Sequence, residues 1–138
     1  METDRRLSQD TVDEFRKYLP YLRIACGYSQ VAMGNILEVA HPTYNKMETG
    51  ISPMKMRDYF AVRYIIEQDE FGKSLTTILV DGSYLSAREK SELLRRMDKV
   101  INKASRKNGT AVLKHSLLRT YNEFILEKKA EEFNGRAV

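Results

Sequence analysis

The stretch from Ser29 to Gly50, SQVAMGNILEVAHPTYNKMETG, constrains this chain more than any other. Two short helical patterns stand there on either side of a tight connection. The first covers Gln30 to Leu37 and sets Met33, Ile36 and Leu37 on one stripe at three- and four-residue spacing, with Ser29 as its N-cap. The second opens at Pro42, whose fixed backbone angle and missing N–H suit the first turn of a helix. Tyr44 and Met47 share one face of it, which leaves His41, Thr43, Asn45 and Lys46 on the other. Glu48 and Gly50 close the pattern, Gly being the usual residue just past a helix end. Gly34 costs the first helix about 1 kcal/mol relative to Ala. That cost is expected where a second helix crosses too closely for a larger side chain.

The flanking segments also read as helices. Asp10 or Thr11 caps a helix carrying Val12, Phe15 and Leu19. Pro20 is expected to break or kink it near Leu19, leaving a second segment from Pro20 to Cys26 that ends at Gly27. Beyond Gly50, Ser52-Pro53 reads as an N-cap and first helical residue, opening a helix to about Gln68. Met56, Tyr59, Phe60, Arg63 and Tyr64 are expected along one side of it, with Ile65 and Ile66 strengthening its end. Asp69 to Gly72 interrupts the pattern. Lys73 to Val80 is short and apolar; it reads as helix because no second strand candidate exists to pair with it.

Ser86, with Glu89 placed to complete a capping box, opens an amphipathic helix with Leu93, Leu94, Met97, Val100, Ile101 and Ala104 on one stripe. Asn108-Gly109 stops it. A last helix, from about Thr110 to Glu132, carries Leu113, Leu117, Leu118, Tyr121, Phe124 and Ile125 inward, with Lys128 at the edge. The two form a helical hairpin. A hairpin buries only part of its two stripes, so the remainder needs either the N-terminal part of the chain or a second copy of it.

Composition narrows the function classes. The chain has no run of eighteen apolar residues, so no membrane span is expected. The segment METDRRLSQDTVDEF lacks the apolar core of a signal peptide. The single cysteine, Cys26, permits no internal disulfide and fits a reducing cytoplasm; it reads as a small buried apolar residue. The histidines, His41 and His115, stand far apart, and no zinc-ligand spacing, Gly-rich phosphate loop, nucleophile elbow or HExxH motif occurs. Neither an enzyme nor a cofactor is expected.

The net charge of +4 is unevenly spread. Residues 1–50 carry six Lys/Arg against seven Asp/Glu, and residues 51–82 carry four against five. Residues 83–138 carry thirteen against seven. Between Lys99 and Arg119 there is no acidic residue, and Lys99, Lys103, Arg106, Lys107, Lys114 and Arg119 flank the Asn108-Gly109 turn.

Leu19, Leu22, Gly27, Tyr28-Ser29-Gln30, Met33, Gly34, Leu37, Val39, Thr43, Tyr44, Glu48 and Gly50 fall in the register of Cro/lambda-repressor-like (XRE-type) helix-turn-helix domains, and the chain resembles that family over about Leu19 to Glu67. The resemblance implies an all-α fold: an N-terminal five-helix bundle over residues 10–82, followed here by a C-terminal helical hairpin over 83–138. It implies a transcriptional regulator, usually a repressor, that binds operator sites on double-stranded DNA as a homodimer. It also implies that Gln30 starts the second helix near a phosphate, and that His41, Thr43, Asn45 and Lys46 face the groove beside Pro42. Those side chains suit the role, since Asn pairs with adenine, Thr donates, accepts or touches a thymine methyl, and Lys reaches guanine or phosphate. Two positions depart from the family pattern. Glu38 stands where Gly is common in the turn, so an altered or lengthened turn is expected. Ala40 stands where a capping Ser or Thr is usual.

A second function class fits the same residues: a helix-turn-helix adaptor or inhibitor whose basic hairpin binds a protein partner. For the first class, Lys103, Arg106 and Lys107 are candidate phosphate contacts.

Overall fold

The computed structural model describes residues 8–82, 84–104 and 109–136. Seven helices occupy them, with no strand among the described residues: α1 Gln9–Ala25, α2 Gln30–Ile36, α3 His41–Thr49, α4 Met56–Glu67, α5 Glu70–Leu79, α6 Ala87–Lys103 and α7 Thr110–Arg136. None is long and apolar enough to cross a membrane.

The first helix is the hub. It packs against α3, α4, α5 and α7, and Val12, Phe15, Leu19 and Leu22 are fully buried among them. The ring edge of one of Phe15 and Tyr59 meets the face of the other at 5.1 Å and 89°. This packing corrects the expected break at Pro20, because α1 runs unbroken through it. A proline inside a helix costs about 3 kcal/mol, whereas each fully buried large apolar side chain contributes about 1.5–3 kcal/mol. Four such side chains on one helix outweigh the lost backbone bond. The cap also moves, since Ser8 rather than Asp10 or Thr11 accepts the Thr11 N–H at 3.2 Å.

The fourth helix departs from expectation in start and in phase. It begins at Met56 instead of Pro53, and its N-cap, Lys55, makes no side-chain hydrogen bond. Residues 52–55 lead into it as a loop that delivers Met54 to the core. The inward stripe is Tyr59, Val62 and Ile66, and it turns Phe60 and Tyr64 out to solvent. Ile36 is likewise exposed, as the last residue of a seven-residue helix. The fifth helix starts earlier than Lys73, because the Asp69 carboxylate caps it by accepting the Gly72 N–H at 2.9 Å. Gly72 then lies so close to Cys26 and Ile66 that no side chain fits between.

The hairpin forms with both capping-box bonds present, Ser86 N–H to Glu89 at 2.9 Å and Glu89 N–H to Ser86 Oγ at 3.2 Å. Its inner stripe is covered by this chain's own α1, which packs on α7. Leu117 and Phe124 are buried, and Leu113, Leu118, Tyr121 and Ile125 half-buried, in one core continuous with that of α1 to α5. Polar ties join the same parts. Lys114 binds Asp69, Tyr21 donates to Asp98 at 2.7 Å, and Lys128 binds Glu89. The hairpin therefore needs no second copy to bury its apolar face. The turn expected at Asn108, with Arg106 and Lys107, lies outside the described residues.

Candidate functional site

The connection between α2 and α3 is short and regular. Leu37 caps α2, and Glu38 follows in the left-handed conformation with φ +59°. Glu38 N–H donates to Asn35 O at 3.2 Å and Val39 N–H to Gly34 O at 2.9 Å. This pair of bonds is a complete Schellman motif with Glu38 where glycine usually stands. Glu38 itself takes the left-handed position and carries its steric cost.

Ala40 is extended and offers no side-chain cap, as the sequence implies, and Pro42 sits in the first turn of α3. Gly34 faces α3 closely. A Cβ there would lie 3.2 Å from Val39 O and 3.6 Å from Tyr44 Cβ, which is the crossing that its position calls for.

The candidate side chains fall into two groups. His41, Thr43 and Lys46 are exposed on the outer face of α3, beside Pro42. Asn45 is half-buried, and its amide donates to Gln30 Oε1 at 3.1 Å. His41 Nε2 lies 3.4 Å from the same oxygen. Gln30 therefore does not stand free at the start of α2, but holds Asn45 and His41 in one cluster. Its own amide donates to Glu48 Oε1 at 3.4 Å.

Beneath the cluster lies an ion pair. Arg23 Nε donates to Glu48 Oε2 at 2.9 Å and Arg23 Nη2 to Glu48 Oε1 at 3.0 Å, with Arg23 Nη1 on Tyr28 O at 2.9 Å. The Glu48 side chain is only 3% exposed. Beside it the Tyr44 hydroxyl is buried, and burial, then the nearby Glu48 carboxylate, push its proton loss far above the ordinary range. A chain of contacts thus runs from α1 through Arg23, Glu48 and Gln30 to Asn45 and His41.

Composition and patterning do not identify Arg23 and Glu48 as partners. The available signal is that Glu48 falls one turn beyond Tyr44, on the buried stripe, where a carboxylate requires a cation. Lys55 and Arg57, exposed in the segment after α3, are further cations that the motif does not flag.

Lys103 is exposed at the end of α6. Of the other basic positions, Lys114 is tied to Asp69, and Arg119 contacts Glu123 at 3.4 Å. Among the described residues no group of His, Cys, Asp and Glu is arranged to hold a metal ion. Cys26 is buried, and burial is the main cause that raises its thiol pKa to about 12. What the α3 face presents is an imidazole, a hydroxyl, an ammonium and an anchored amide: a short row of hydrogen-bond donors and acceptors on a rigid helix.

Comparison with protein-family models, curated proteins and solved structures returns no match for this chain.

Proposed function

We propose that the chain is a sequence-specific DNA-binding transcriptional regulator in which α2, the Glu38 turn and α3 form a helix-turn-helix, with α3 entering the major groove. Thr43, Asn45 and Lys46 contact base edges, His41 reaches a base or the backbone, and Gln30 lies near a phosphate. Residues 10–82 are the reading part and residues 83–138 the docking part. The observation that carries this reading is the anchoring of an exposed polar face. Asn45 is fixed through Gln30, Glu48 and Arg23 to α1, and His41 meets the same Gln30 oxygen, so these two side chains are pre-ordered beside the exposed Thr43 and Lys46, which lowers the entropy cost of binding.

Two copies bind together. The nine residues of α3 rise about 13 Å, which spans only about four base pairs at 3.4 Å each. That length is too short for useful discrimination by one copy, and a two-fold dimer doubles it. Transcription is controlled by occlusion of the bound site.

Selection of bound duplexes from a random-sequence pool tests the reading, with a two-fold symmetric consensus expected. A Thr43→Ala, Asn45→Ala, Lys46→Ala variant should lose the preference for that consensus. Unchanged binding by the triple variant would refute groove reading by α3. Sedimentation of the chain on the selected duplex, with one copy bound where two are expected, would refute the dimer.

A protein-binding adaptor is the second reading. Leu126 and Phe133 favour it, exposed seven residues apart on α7.

A further inference from the structure

The α3 end that carries His41 and the basic end of the α6–α7 hairpin share one cleft of about 410 Å3. Ser29, Gln30, Val31 and His41 line one wall, and Thr110 and Leu113 the other. The first turns of α7 are held there from two directions. Lys114 binds Asp69 at the start of α5, and its aliphatic stem covers Gly27, where a Cβ would lie 3.3 Å from Lys114 Cδ. Leu113 also forms the wall of the next groove, together with Lys103 from the last turn of α6. Lys103 and, one turn earlier, Lys99 are exposed and have no ion-pair partner among the described residues.

Electrostatics gives this placement its meaning. Residues 1–82 hold ten Lys/Arg and twelve Asp/Glu, so the part that carries α3 has no positive excess to offer a polyanion. Phosphate neutralisation nevertheless supplies most sequence-independent DNA affinity. The missing charge is in the hairpin, and the fold brings that end of the hairpin alongside the start of α2 and the His41 end of α3.

We propose that Lys99 and Lys103 contact backbone phosphates of duplex DNA flanking the base pairs read by α3, on the α2 side, so that the hairpin extends the footprint beyond the groove. The proposal rests on the reading of α3 as the DNA-entering helix. Two phosphate contacts per bound copy contribute about 1.8 per copy to the slope of log affinity against log salt.

Anisotropy titration of the full chain tests this on two duplexes, each about three helical turns long. One is recovered by selection from a random-sequence pool, and the other alternates deoxyinosine and deoxycytidine. Over about 50 to 200 mM salt, a Lys99→Gln, Lys103→Gln variant should bind more weakly at low salt, with its deficit shrinking about twelvefold per bound copy across the range. Its preference for the selected duplex should persist, whereas the Thr43→Ala, Asn45→Ala, Lys46→Ala variant should lose that preference and keep the slope that Lys99 and Lys103 supply. Lys129→Gln serves as the distal control, nineteen residues and about 28 Å along α7 from Thr110, and should leave the slope unchanged. A wild-type slope in the double variant overturns the proposal. An equal fall in the Lys129→Gln variant overturns it as well. Equal binding of the two duplexes by the wild-type chain refutes the α3 reading instead.

Discussion

Arg23 and Glu48 form a two-point ion pair across the core, Nε to Oε2 at 2.9 Å and Nη2 to Oε1 at 3.0 Å, joining α1 to the last turn of α3. Both groups are nearly out of solvent, so neither charge can be removed cheaply. Glu48→Ala leaves the Arg23 guanidinium buried with only the Tyr28 carbonyl as partner. A loss of about 3–5 kcal/mol in unfolding free energy is expected, measured by urea titration. A loss below about 1 kcal/mol would mean that water replaces the carboxylate freely. Because Glu48 also holds Gln30, the same substitution should weaken selected-duplex binding even under conditions where the variant is fully folded.

Glu38 carries strain without a visible return. Its φ of +59° places a side chain in the left-handed region, which costs about 1–2 kcal/mol for a residue with a Cβ. Glycine escapes that cost but gains freedom in the unfolded chain, worth about 0.5–1 kcal/mol. Glu38→Gly should therefore stabilise the protein by about 0.5–1 kcal/mol, seen as a higher denaturation midpoint with an unchanged slope. A lower midpoint would show that the Glu38 side chain makes a stabilising contact.

Gly72 is needed for close approach rather than for backbone freedom. A Cβ at this position would lie 2.5 Å from both Cys26 Sγ and the Ile66 carbonyl oxygen. Gly72→Ala should cost about 1–3 kcal/mol by overpacking, despite the better helix propensity of Ala. Adding Cys26→Ala should recover only part of the loss, because the backbone carbonyl of Ile66 remains. Thermal melts of the single and double variants measure this, and full recovery would place the whole conflict at the sulfur.

Acid sensitivity should follow from the hairpin. Hydrogen bonding from Lys128, then from the Ser86 backbone, lowers the Glu89 carboxyl pKa from 4.5 to about 2. Since the folded value lies below the unfolded one, the stabilisation is complete above about pH 4.5 and disappears as the pH falls through about 2. Glu89→Gln preserves the cap but not the ionic partner of Lys128. Its stability should fall less steeply than that of the wild type over this window, by guanidinium-free urea titration at each pH. Parallel curves would show that the pair is screened out by solvent.

Contacts within one turn of chain were legible in the sequence. Ser29 caps α2, Ser86 and Glu89 form their box, and Gly50 takes the left-handed C-cap, because each depends on residues no more than four positions apart. The all-helical class follows from the same short periods. The exposed positions of His41, Thr43 and Lys46 follow from the Tyr44–Met47 stripe opposite them, and the departure at Glu38 is visible as a non-glycine residue where the chain must turn.

The tertiary structure decided everything that depends on distant partners. Pro20 remains helical because α3, α4, α5 and α7 bury the residues around it. The fourth helix is rotated to place Tyr59 against Phe15, forty-four positions earlier, which sends Phe60 and Tyr64 outward. Glu48 becomes an interior anchor through Arg23, twenty-five positions away, and Asn45 is fixed through Gln30, fifteen away. The hairpin closes on α1 rather than needing a second copy for burial. Helical periodicity identifies an apolar face, but which surface covers it is set by the free energy of the whole packing, and that enters no local window of sequence.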